Sequence, residues 1–259
     1  MYLTYIRLLH QDHLDQRAKN LKSLFREIDR INVDSSMQSF SVLTSFSQNS
    51  IIDMARLKSE CMEDLVDVLT DQYFRNKDNS SLDSSKELLD TSIKYVDQCI
   101  KIKKSDEVHD DEGLAQMYND GAEILYEMLD FEKSKEYVKQ AKQISEKIGC
   151  IHNLSRAYYL SFKCRVGMKE LDHKHILNDW DSSMELSRGD IPQLYKNYII
   201  LCSQYKNEFF NKKIKETIPE IKILLAQDDR QLYLYQNLKK ILSEIKSEQH
   251  DISEEIEGD

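Results

Sequence analysis

Apolar residues return every three or four positions along most of this chain, the spacing that puts them on one face of an α-helix. Leu14, Arg17, Ala18, Leu21, Leu24, Phe25, Ile28 and Ile31 follow it first, and the polar run Asn32 to Ser36 reads as a break. Met37, Phe40, Leu43 and Phe46, then Ile51, Met54, Ala55 and Leu57, predict one or two further helices, and Leu65, Val66, Val68 and Leu69 another. Arg75 to Ser85 is the clearest loop, rich in Asp and Ser that cap helices, and Lys104 to Asp111 is a second polar connection. A last helix carries Leu232, Tyr235, Leu238, Ile241, Leu242 and Ile245 on one stripe with lysines behind it. Beyond it the chain becomes acidic, with too little apolar surface to offset its ordering entropy, and it is expected to fray.

Internal repetition is more informative than any single motif. Between Met117 and Gly149, a large residue (Tyr118), a small one (Ala122) and an apolar one (Leu125) mark one helix. Asp130-Phe131 makes a turn, and Ser134, Val138 and Ala141 mark a second helix. The pattern of Ser134, Val138 and Ala141 recurs at a spacing of 42, as Ser92, Val96 and Cys99 before it and as Ile176, Trp180 and Ser183 after it. Ile218, Lys222 and Leu225 form a degraded fourth copy, and Tyr118, Tyr158 and Tyr198, 40 apart, begin the matching first helices. This segment resembles the tetratricopeptide repeat. It departs from the family in having Ala122 where Gly is preferred and no Pro after the second helix.

The resemblance implies an all-α fold, a right-handed α-solenoid of tetratricopeptide-like helix pairs in which small residues let helices approach closely. The expected division is an N-terminal helical extension over residues 1–58, repeats with a C-terminal capping helix over 59–248, and an acidic tail over 249–259.

Composition agrees with helices joined by short polar turns. Gly (6) and Pro (2) are scarce, and these are the residues that hairpins and phosphate loops need most. The net charge of -10 makes general attraction to nucleic acid or an anionic bilayer an unfavourable reading. No apolar run approaches the eighteen or so residues of a membrane span, and the start lacks the layout of a secretory signal. Five cysteines (Cys61, Cys99, Cys150, Cys164, Cys202) are far apart and odd in number. They indicate neither a disulfide framework nor a zinc site, and core thiols in a reducing, cytoplasmic setting are expected.

No phosphate loop, dinucleotide fingerprint, nucleophile elbow or His-Glu-x-x-His occurs. His109 to Glu112 superficially suggests a ligand set but reads better as a helix start, where acids meet the helix dipole. His173 and His175 flank Lys174 without a third ligand nearby and read as a solvated turn, and Trp180 reads as core. The first sixty residues lack the tight turn of a helix-turn-helix reader, so no nucleic-acid role is expected. No catalytic residue, metal or cofactor is assigned, and the chain is expected not to be an enzyme.

Stacked helix pairs line a concave groove with their first helices, so the resemblance places candidate partner-binding side chains at Gln116, Asn119 and Glu123, at Arg156, Tyr159 and Lys163, and at Lys196, Ser203 and Lys206. Four of them are basic. The family's best-known peptide mode clamps a terminal carboxylate with Lys, Asn and Arg; Asn119, Lys163 and Lys196 are similar in type without reproducing its pattern. The expected role is an adaptor or assembly subunit that binds a protein or peptide, with preference for an acidic or C-terminal segment and no membrane. A peptide-responsive intracellular regulator is the alternative, distinguished by tight binding of a short free peptide rather than a large interface.

Overall fold

In the computed structural model of the chain, residues 14–37, 48–76, 82–106, 108–188, 190–204, 206–227 and 234–245 are described. The expectations for Phe40, Leu43 and Phe46, for residues 77–81 of the loop, for Leu232 and for the acidic tail lie outside them. The helices are α1 (Leu14–Met37), α2 (Gln48–Asn76), α3 (Leu82–Lys103), α4 (Asp111–Glu127), α5 (Phe131–Ile148), α6 (Ile151–Gly167), α7 (His173–Leu186), α8 (Ile191–Ser203), α9 (Glu208–Gln227) and α10 (residues 234–245). Among the described residues there is no strand, and the fold is all-α.

Two boundaries differ from the sequence reading. The expected break at Asn32 to Ser36 lies inside α1, because Asn, Asp and Ser lower helix propensity by only a few tenths of a kcal/mol each and neither Gly nor Pro is present to stop the helix. The expected domain boundary at residue 58 falls in the middle of α2, a single 29-residue helix. The chain instead divides into two compact units, the first ending at Asn153 and the second starting at Leu154, within α6.

In the first unit each helix packs on the next, α1 on α2, α2 on α3, α3 on α4 and α4 on α5. Leu14, Ala18, Leu21 and Ile28 of α1 share a core with Cys61, Leu65 and Val68 of α2. In the second unit Phe162, Ile176, Trp180, Tyr195, Tyr198, Leu201, Phe210, Ile214 and Ile221 form the core, to which α10 adds Leu238 and Ile245. Tyr235, Ile241 and Leu242 pack partly buried against it.

Helix starts follow one local rule. Asp110, Asp130, Asp172 and Asp190 each accept a hydrogen bond from the backbone N–H three residues on, at 2.9, 3.3, 3.2 and 3.1 Å. Each such cap is worth about 1 kcal/mol. At the other end of α5, Gly149 adopts φ 69°, a left-handed conformation that glycine tolerates best, and Cys150 N–H reaches back to Ser145 O at 3.0 Å.

The buried stripe of the second helices extends beyond the three positions seen in sequence. Ser92, Val96, Cys99 and Lys103 on α3, Ser134, Val138, Ala141 and Ser145 on α5, and Ile176, Trp180 and Ser183 on α7 with Ser187 at its C-cap are all at most 5% exposed. On α9 the stripe is Phe210, Ile214, Thr217 and Ile221, 34 residues after that of α7 rather than 42. The expected Ile218, Lys222 and Leu225 are therefore out of register, and Lys222 is exposed. Small residues on the stripe permit close approach: Ser134 Oγ donates to Ala122 O at 2.6 Å, fastening α5 to α4. Gly121 makes α4 close on both sides, since a Cβ there would lie 2.7 Å from the Tyr137 ring and 2.9 Å from Val96.

Candidate functional site

The nine expected contact residues divide between the units. In the first, Gln116 is exposed on α4 and Glu123 is half-buried, but Asn119 is wholly enclosed. Its side-chain amide donates to Asn153 O at 3.0 Å, while the Asn153 amide donates to Glu112 O at 3.2 Å. Asn119 therefore locks the start of α6 onto α4 and is not a surface contact. The reason is its place one residue beyond Tyr118, on the side of α4 that the next helix covers.

In the second unit Arg156 and Lys163 are half-buried on α6, seven residues apart and so on one face. Lys196 is half-buried on α8, Ser203 is exposed with its hydroxyl donating to Ile200 O at 2.7 Å, and Lys206 is exposed in the turn that follows. Tyr159, expected on the surface, is buried at 5%. Its misplacement comes from taking Tyr158 as the equivalent of Tyr118. Counted back from the buried stripe by the same interval, the equivalent is Leu160, which is fully buried, whereas Tyr158 is half-exposed.

That shift of two residues brings different side chains to the fore. Ser161 takes the position of Asn119 and is likewise buried and bonded, its hydroxyl donating to Asp179 Oδ2 at 2.6 Å. Arg165 takes the position of Glu123, with Nε 2.8 Å from Asp179 Oδ2 and Nη1 2.6 Å from Glu170 Oε2. Burial works against the charge of Arg165, but these two carboxylates outweigh it and hold its pKa above the ordinary value. Deeper in the same unit, the Ser155 and Ser187 hydroxyls share a 2.6 Å hydrogen bond, Ser183 Oγ donates to Ser155 O at 3.1 Å, and the Asn197 amide donates to Ser183 at 3.0 Å. Trp180 Nε1 donates to Asn197 O at 3.2 Å, with Lys213 over its ring at 4.7 Å. Satisfied buried networks of this kind hold helices in one register.

His173 is also placed differently from the sequence reading. It is the first residue of α7, half-buried, with its ring stacked on Phe209 at 4.2 Å and edge-on to Phe210 at 6.0 Å. Lys174 and His175 remain exposed, His175 lying 3.6 Å from the Asp172 carboxylate. Asp110 caps α4, as the helix-start reading of His109 to Glu112 expected. Cys61, Cys99, Cys164 and Cys202 are buried and none of the five cysteines forms a disulfide; burial pushes Cys99, beside Glu63, and Cys202 up to about 12. No helix among the described residues is long and apolar enough to cross a membrane.

The protein thus belongs to the all-α class, built of helices that pack on their sequential neighbours within each unit and carry one buried stripe on alternate helices. No family model matches the chain, and no curated protein matches it. Among solved structures it is similar to one titled "Crystal structure of BtubC (BKLC) from P. vanneervenii", with 12% identity and a TM-score of 0.47 over 83% of this chain and 91% of that chain.

Proposed function

We propose that this chain is a non-enzymatic, tetratricopeptide-like binding protein, an adaptor or assembly subunit that holds a partner protein or peptide. The observation that carries the reading is the four-place buried stripe on α3, α5, α7 and α9. Helices that spend one face on packing in this repeated way are a common basis for surfaces that suit extended partners. In the second unit the residues offered are Arg156 and Lys163 of α6, Lys196 of α8 and Lys206 after it, which favour an acidic segment.

The test is affinity purification of the full chain from its own cells, beside a variant with Arg156, Lys163, Lys196 and Lys206 changed to Glu. A stoichiometric partner held by the native chain and lost by the still-helical variant is the expected result. A partner kept by both would move the site elsewhere. No stoichiometric partner with either would overturn the adaptor reading.

A further inference from the structure

The second unit contains a pocket of about 400 Å³ where the α6–α7 and α8–α9 connections meet, lined among others by Arg165, Lys169, Glu170 and His173 and by the apolar Val166, Leu171, Ile176 and Phe210. Its volume lies at the small end of the roughly 300–1,000 Å³ of ligand sites, which are mainly apolar with a few placed polar groups. Three features make it more than a gap between turns.

Lys169 has a left-handed backbone, φ 53°, at the position after α6 where glycine is the usual and cheaper residue. Its ammonium has no ion-pair or hydrogen-bond partner among the described residues. The other cation, Arg165, is committed to Asp179 and Glu170, so the one carboxylate that lines the pocket, Glu170, is already paired and Lys169 supplies a charge without a partner of its own. His173 lines the same wall and its enclosed Nδ1 has no hydrogen-bond partner, a state rare in folded proteins without a ligand or water to meet it. Leu171, at the rim, is 89% exposed, the most exposed large apolar side chain among the described residues.

We propose that this pocket binds a carboxylate joined to a bulky apolar group, with Lys169 taking the carboxylate and Val166, Leu171, Ile176 and Phe210 enclosing the apolar part. The pocket adjoins Lys206, which lies between its lining residues Gln204 and Asn207, but it shares no lining residue with the partner surface proposed above and holds whether or not that surface is used. An amine ligand is disfavoured, because Glu170 and Asp179 are already taken by Arg165. A neutral apolar ligand would leave the Lys169 ammonium without a counter-charge beside it.

The experiment is an NMR titration of the isotopically labelled full chain with three probes: N-acetyl-leucine, its neutral analogue N-acetyl-leucinamide, and the capped dipeptide acetyl-Glu-Leu-amide. N-acetyl-leucine is expected to shift the Lys169, Leu171 and His173 signals and to bind at least tenfold more tightly than the neutral analogue. Equal or tighter binding of the capped dipeptide would assign the ligand to a peptide side chain, and weaker binding would assign it to a small free acid; both keep the proposed chemistry. Lys169→Gly removes the charge while relieving the left-handed backbone, so it is expected to keep or raise the melting temperature and to weaken the acid about tenfold. Leu171→Asp, at a position too exposed to matter for folding, is expected to repel it. Acid and amide binding alike, no shift at the pocket with any probe, or unchanged acid binding in both variants would overturn the proposal.

Discussion

At the scale of single residues, Lys103 is the exception in an otherwise apolar and small-residue stripe. Its counterparts on α5, α7 and α9 are Ser145, Ser187 and Ile221, yet it is only 5% exposed. Its ammonium lies 2.8 Å from Glu63 Oε1 and 2.6 Å from Asp110 Oδ2. Burial opposes its charge, but the bonds to Asp110 and Glu63 outweigh it and the pKa rises above 10.5. Burial alone would raise Asp110, but Lys103 and the Gly113 N–H hold it below 3.8. The stabilisation from Asp110 is thus present above its ordinary value and lost as pH falls through its folded one, and that from Lys103 is lost as pH rises through its folded value above 10.5.

Lys103→Ala is expected to lower stability by about 3 kcal/mol in urea titrations at neutral pH, at the low end for a broken buried pair because the Asp110 side chain is 40% exposed. Asp110→Asn should flatten the loss of stability expected of the native chain below about pH 4. An acid limb unchanged by that variant would show that other carboxylates dominate it. None of this was legible beforehand, since a lysine near a helix end reads as solvated until its neighbours from α2 and the α3–α4 turn are known.

At the scale of elements, two substitutions with opposite expected signs report how tightly helices and turns are set. In an open helix Gly→Ala gains about 1 kcal/mol. At Gly121 the new Cβ would press on Tyr137 and Val96, so Gly121→Ala is expected to destabilise by about 1–3 kcal/mol. Leu129 closes α4 with φ 63° and is 73% exposed. Leu129→Gly removes the left-handed strain with little burial to lose and should stabilise by about 1 kcal/mol. Melting curves of both variants check the pair, and a stabilised Gly121→Ala would mean the three helices have room to spare.

Much at this scale could be read from sequence, because caps and amphipathic periodicity are local. The stripe on α5 was visible as Ser134, Val138 and Ala141. The stripe on α9 was misread by several residues because Phe210, Ile214, Ile218, Ile221 and Leu225 support two helical registers, and only packing against the second unit's core selects one.

At the scale of the whole molecule, the chain carries a net charge of -10, the opposite sign to the basic residues proposed to meet a partner. Their interaction with an acidic segment is expected to weaken as salt is raised, since the screening length shortens to roughly 10 Å at 0.1 M and 3 Å at 1 M. Binding measured across that range should fall steadily for the native chain, whereas the four-residue Glu variant, which repels an acidic segment, should show no low-salt binding for salt to weaken. A salt-independent affinity would point to an apolar contact instead.

The sequence by itself determined that the chain is all-α, where α4 and α5 start, and that alternate helices carry a repeated buried stripe. Those features follow from periodicity, propensity and capping, which act over a few residues. Tertiary structure alone decided that Asn119 and Tyr159 are interior, that Arg165 rather than Lys163 stands at the position of Glu123, and that Lys169, Leu171 and His173 border one pocket. Burial of a helix face depends on which partner covers it. A shift of two residues in α6, invisible to a periodic pattern that tolerates either register, exchanges inside for outside.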